Sequence, residues 1–256
     1  MKRRYLVSLV LLSIVPAGLG GCSVAVSPPV HTTHYGAPER LREGDLEVHG
    51  AATGGAGLAP MFGAAMVGYG VKDWASVELG GAFARGLWAM GTLGPRFTLS
   101  PNRDDPIHAA ADFELGLGLG AGGENYTGTW VSENEQTPLS DDRDWHQRMA
   151  FGGYTGFGFG LHVHWFAVYG RLKIQGSRAD GLPGTFWSSG VGGAQFRIKR
   201  TVDLYLAGGY FGYVTDYDVL FGGLYEIGLA VHFDLLELSR KQRAKREAKR
   251  RAKQTG

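Results

Sequence analysis

The residues with chemical potential are spread along the chain at alternate positions rather than gathered in one motif. Asp112 and Glu114 are two residues apart, as are Arg171 and Lys173, and Glu47 and His49 follow Asp45 at the same spacing. Glu78, Arg96, Arg197, Asp203 and Glu226 sit in similar alternating contexts. Carboxylates and cations placed this way lie on one face of an extended strand, where they can pair across an interior. Three histidines, His108, His162 and His232, have the same setting, and imidazoles brought together could bind zinc or copper. No carboxylate or thiol partner is specified by spacing, so the reading is of charge pairs without a metal. A second group, Asp141, Asp142, Asp144 and His146, is confined to the long interval 121–148. General-base catalysis needs a carboxylate aimed at an imidazole from a firm support. One loop does not provide that, and no phosphate-binding glycine loop or nucleophile elbow occurs. We therefore expect no catalytic residues.

What must position these groups is visible in the rest of the pattern. From Ile107 to Ala121, Ile107, Ala109, Ala111, Phe113, Leu115, Leu117 and Leu119 alternate with His108, Ala110, Asp112, Glu114, Gly116, Gly118 and Gly120. The same design returns at 166–175 and 221–233. Ten such segments are predicted: 44–52, 61–70, 75–85, 87–99, 107–120, 149–162, 165–176, 186–198, 202–213 and 221–233. Most have about the length a tilted strand needs to cross hydrocarbon, roughly 9–11 residues. Alternate connections are short (71–74, 100–106, 163–164, 199–201), and most of the others are longer.

Composition agrees. Gly numbers 42 of 256 residues, yet 44% of the chain is hydrophobic and 12% aromatic, which excludes ordinary disorder. A single cysteine excludes a disulfide framework. The body holds 14 Lys and Arg against 23 acids, which argues against a nucleic-acid partner, while nine of the 26 basic residues crowd the last seventeen positions. Within that tail, Arg243, Lys245, Arg246, Lys249 and Arg250 are candidates for contact with anionic headgroups or cell-wall carboxylates.

Two resemblances follow. Residues 1–22, MKRRYLVSLVLLSIVPAGLGGC, carry a basic start, an apolar run and small residues; Leu19-Gly20-Gly21-Cys22 resembles the bacterial lipobox. That resemblance implies cleavage before Cys22 and covalent diacylglycerol and N-acyl lipid on it, with no other cofactor. Ser23 after the cysteine implies sorting to the outer membrane. The repeated strands, the turn Lys72-Asp73-Trp74 and the final strand Tyr225–Phe233 resemble small Gram-negative outer-membrane β-barrels. The implied fold is all-β, a closed up-and-down antiparallel transmembrane barrel of about ten strands. Implied partners are outer-membrane lipid, lipopolysaccharide and the barrel-insertion machinery. Short turns and an even strand number place both termini in the periplasm.

The expected organisation is signal peptide 1–21, lipidated linker 22–43, barrel 44–234 and a basic, helical or disordered tail 235–256. His31 and His34 are expected to be solvated in the linker. The expected role is structural or accessory. A narrow conduit for small solutes and a soluble, lipid-tethered ligand-binding barrel are the alternatives.

Overall fold

A computed structural model describes residues 29, 33–56, 62–84, 88–100, 105–122, 148–179, 184–199, 201–214 and 219–235. Ten strands follow in order: β1 (Asp45–Ala56), β2 (Phe62–Lys72), β3 (Ala75–Ala84), β4 (Trp88–Leu99), β5 (Ile107–Gly122), β6 (Arg148–Val163), β7 (Phe166–Ala179), β8 (Thr185–Lys199), β9 (Val202–Val214) and β10 (Val219–Asp234). Each pairs antiparallel with its sequence neighbours, and β1 pairs with β10 from Asp45↔Asp234 to Ala56↔Gly223, so the sheet closes. All ten expected segments are strands, and all ends agree within a few residues.

Closure has a physical cause. A strand edge in hydrocarbon would leave backbone N–H and C=O groups unsatisfied at several kcal/mol each, and only a sheet joined to itself removes both edges. The tight turns Asp73-Trp74 and His164-Trp165 link β2 to β3 and β6 to β7. His164 takes φ 55° to make its turn.

The two faces are sorted as the alternation requires. Phe113, Leu115, Ile227 and Leu229 point outward and are 45%, 40%, 50% and 42% exposed. Asp112, Glu114, Glu226 and His232 on the same strands point inward and are buried. Near the short-turn rim, Trp74 stacks on Phe97 at 6.0 Å between centroids and Trp165 on Phe196 at 6.1 Å. Phe83, Phe151, Phe186 and Phe221 lie exposed towards the other rim. An apolar outer band with aromatic residues at both borders is the surface of a barrel that stands in lipid. A soluble barrel would turn these faces round, and that alternative is overturned.

Glycine serves the interior as space. Tyr205, Tyr169 and Tyr154 point inward, and directly across the ladder from them stand Gly228, Gly193 and Gly116. A Cβ at any of the three would collide with the facing tyrosine ring. Each ring therefore lies flat over a neighbour that has no side chain, the aromatic cover for strand glycine seen in curved sheets.

Candidate functional site: a lumen closed by the amino-terminal segment

Residues 33–41 run inside the barrel. Thr33, His34, Tyr35, Ala37, Glu39 and Leu41 are all buried. This corrects the expectation of a solvated linker: His34 is 1% exposed. The reason is chemical. The segment has no periodicity of its own, so its backbone groups must find partners elsewhere, and the lumen wall supplies them.

From the short-turn rim inward, the contacts proceed in sequence. Gly44 N–H donates to the Gly70 carbonyl at 2.8 Å, and Glu43 N–H donates to Asp73 Oδ1 at 3.2 Å. Arg40 reaches Asp73 Oδ2 at 2.5 Å. Burial plays little part at this exposed turn; the Glu43 amide and then the Arg40 guanidinium hold the Asp73 carboxyl below the usual carboxylate range. Leu41 lies over Gly68, and a Cβ at Gly70 would strike the Arg42 carbonyl. Glu39 pairs with Arg197, and Ala37 N–H donates to Gln195 Oε1 at 2.8 Å. Pro38 offers its carbonyl to His162 Nε2 at 2.8 Å and its ring packs against Gly158 and Gly160.

The chain then turns at Tyr35-Gly36, with φ 54° and 77°. Gly36 is required there, since a Cβ would also meet Gln195 and Tyr205. Deeper still, Glu226 accepts the His34 and Tyr35 amides at 3.0 Å each, with His34 Nδ1 3.5 Å from the carboxylate. Arg171 donates to the His34 carbonyl at 2.7 Å and Lys173 to the Thr33 carbonyl at 2.6 Å.

Apart from Glu226, which holds the segment, and Asp45, the wall charges anticipated for the lumen divide into three groups. Arg171 pairs with Asp112, and Lys173 pairs with Glu114 at 3.0 Å while lying 5.5 Å from the Tyr154 ring centroid. Arg96 reaches Glu78 at 2.9 Å and Glu47 at 3.8 Å. Arg197 spans Glu39 and Asp203, whose other oxygen meets Gln195 Nε2 at 3.1 Å and His232 Nε2 at 2.9 Å. Desolvating an ion is costly, and the cost is offset only when such pairs are close and further hydrogen-bonded. Asp45 departs from the expectation: it is half-buried at the rim and accepts from the Arg42 amide at 3.1 Å. That bond anchors the turn through which the segment enters.

Among the described residues, seven buried carboxylates (Glu39, Glu47, Glu78, Asp112, Glu114, Asp203, Glu226) face Arg96, Arg171, Lys173 and Arg197. His34, His49 and His232 each lie against a carboxylate. Sequence reasoning missed His34 and Glu39 because nothing in residues 23–43 signals burial; the only hint was wall glycine.

The three weighed histidines do not converge. His108 and His162 stack, 4.6 Å apart and 7° from parallel, while His232 stands on β10, four strands away around the barrel. Donor atoms of Glu39, Asp203 and His232 lie within 4.8 Å of one another. The Arg197 guanidinium already bridges both of those carboxylates, which makes the cluster an ion-pair network.

Towards the longer connections the described interior holds aromatic and neutral polar side chains. Trp187 lies 5.1 Å from Phe211 and from Tyr213, and its indole N–H donates to Ser177 at 3.1 Å. Leu224, Met66 and Met90 belong to the same buried apolar cluster. Cys22, the Asp141–His146 group and the tail residues Arg243, Lys245, Arg246, Lys249 and Arg250 lie outside the described residues.

The sequence matches no protein-family model and no curated protein. Solved structures with a similar barrel include the N-terminal β-barrel domain of Pseudomonas aeruginosa OprF, at 7% identity and TM-score 0.35, covering 75% of this chain and 100% of that one. The Escherichia coli outer membrane protease OmpT aligns at 8% identity and TM-score 0.38, covering 78% and 99%. The Yersinia pestis attachment invasion locus protein Ail aligns at 12% identity and TM-score 0.24, covering 75% and 99%. Likeness at these levels transfers no activity; the chain is an outer-membrane-type β-barrel on the evidence of its own faces.

Proposed function

We propose that this protein is a lipid-anchored outer-membrane β-barrel with a structural or accessory envelope role, its lumen shut by its own residues 33–41. One observation carries the reading: the interior cations Arg171, Lys173 and Arg197 are bound to that segment as well as to wall carboxylates. Buried charges held this way leave the described lumen without a continuous wet path, which supports a closed, non-catalytic role over that of an open conduit. Support for lipid on Cys22 comes from Leu19-Gly20-Gly21-Cys22. The partners proposed are outer-membrane lipid, lipopolysaccharide and the insertion machinery, with the basic tail against anionic headgroups or the cell wall.

The test is conductance of the full-length protein in a planar bilayer. A closed baseline supports the reading, and a sustained channel current establishes the conduit instead. Incorporation of labelled fatty acid, lost in Cys22→Ala, tests the anchor separately.

A further inference from the structure

The lipid-facing side of the barrel is not evenly covered. One ladder row on it runs Leu93, Leu117, Gly153, Gly176 and Phe186, each opposite the next on the neighbouring strand. Gly153 and Gly176 are neighbours in that row, so a notch opens between the exposed side chains of Leu117 and Phe186. Strands lie about 4.8 Å apart, which makes the gap in side-chain cover about 10 Å wide. A Cβ at Gly176 would meet no atom of the described residues within 4 Å, so no neighbour leans over to fill the space.

The notch differs chemically at its two ends. Towards the short turns it continues past Leu115, Thr155 and Ile174 as a groove of about 720 Å³, within the range of sites that take a small molecule. The Thr155 hydroxyl donates to the Glu114 carbonyl at 3.1 Å and is therefore already satisfied. Towards the longer connections Gly176 also floors a second hollow of about 490 Å³, walled by Phe151 and Phe186 and reaching Arg178. Arg178 is two residues beyond Gly176 on β7 and next to the strand's last residue, so it points to the same outer side. It is exposed, and away from the short-turn rim it is the only charged side chain on the outer face among the described residues. No ion-pair partner faces it among those residues.

We propose that this groove binds one phosphate-bearing lipid, with an acyl chain laid over Gly153 and Gly176 and the headgroup phosphate on the Arg178 guanidinium. The planar fork of arginine matches a phosphate, and Phe151 and Phe186 beside it belong to the aromatic border that marks headgroup depth. Charge at the rim selects an anionic headgroup. The apolar groove running from it into the band selects a lipid over a free anion. The site rests on the reading of the outer face as lipid-facing and deepens it; no residue of the lumen takes part.

For the test, full-length parent, Arg178→Gln and Gly176→Leu proteins are inserted into vesicles of phosphatidylcholine and phosphatidylglycerol in equal amounts and checked for heat-modifiable migration. Lipid retained after gentle release is weighed by native mass spectrometry. One arginine at an anionic headgroup predicts a retained phosphatidylglycerol-to-phosphatidylcholine ratio about fivefold higher in the parent than in Arg178→Gln. Gly176→Leu, whose side chain fills the notch, should retain one lipid fewer of either kind. Equal ratios in parent and Arg178→Gln overturn the proposal, as does full retention in Gly176→Leu. Displacement of the retained lipid by inorganic phosphate alone overturns it too, by marking a free-anion site. A dimer that Gly176→Leu dissolves while lipid retention is unchanged assigns the notch to a second copy instead. A parent that fails to insert defeats the lipid-facing reading itself, whereas insertion without either effect defeats only the site.

Discussion

Substituting Glu226→Ala should release the lumen segment. The Glu226 carboxylate is buried and accepts the backbone amides of His34 and Tyr35 at 3.0 Å each. Truncation leaves both amides without that acceptor, and an unsatisfied buried donor costs about 1–3 kcal/mol. Two such losses amount to roughly 2–6 kcal/mol against the docked segment. Water can enter the space left by the carboxylate, so the lower end applies, and about 2 kcal/mol raises the undocked population roughly 30-fold. The barrel itself should survive, because Glu226 adds no bond to the β9–β10 or β10–β1 ladders beyond its backbone. Single-channel recording reads this directly: transient openings should be about 30-fold more frequent than in the parent. Glu226→Gln keeps one acceptor oxygen and should lie between the two. A correctly folded Glu226→Ala protein with unchanged opening frequency would falsify the view that wall-to-backbone bonds hold the segment in place.

Three further outcomes are expected. Gly70→Val should prevent the close approach of Arg42 to β2 and expose the 33–44 amides to hydrogen exchange while the strands stay protected; equal protection in both proteins would count against a fitted entry. Leu117→Arg, on the outer face, should lower stability in vesicles by about 2–4 kcal/mol in urea titrations, whereas no loss would mean that this face does not meet lipid. The Asp73 carboxyl is held below its ordinary range, so its grip on Glu43 and Arg40 is complete above the unfolded pKa and is lost as pH falls through the depressed value. Protection factors at residues 40–44, taken relative to the intrinsic rate at each pH, should therefore fall on acidification in the parent but stay low throughout in Asp73→Asn; identical pH profiles would dismiss the contact.

How much of this was legible beforehand depends on the range of the interaction. Strand positions and faces were readable because side-chain alternation is a property of the pleated backbone, independent of what lies opposite. Phe113 and Asp112 had to face opposite ways whatever the fold. The lumen cations were readable for the same reason, since a charge opposite a lipid-facing row has only the interior left. Partner choice was not. Whether Arg197 meets Asp203 or Glu39, and whether His162 stacks on His108 or joins His232, depends on closure and stagger, which bring together residues far apart in sequence.

The amino-terminal segment shows the limit most clearly. Residues 33–41 form no strand, and backbone groups of His34, Tyr35, Ala37 and Pro38 are bonded by side chains from β6, β7, β8 and β10, up to 192 positions away. A bond of that kind leaves no spacing in the sequence, only glycines in the wall whose purpose is invisible until something passes them. Local covalent geometry thus determined the barrel, its ten strands and its two faces. Only the assembled tertiary structure decided that the lumen is occupied, because the groups that occupy it are complementary to a cavity that does not exist until the last strand joins the first.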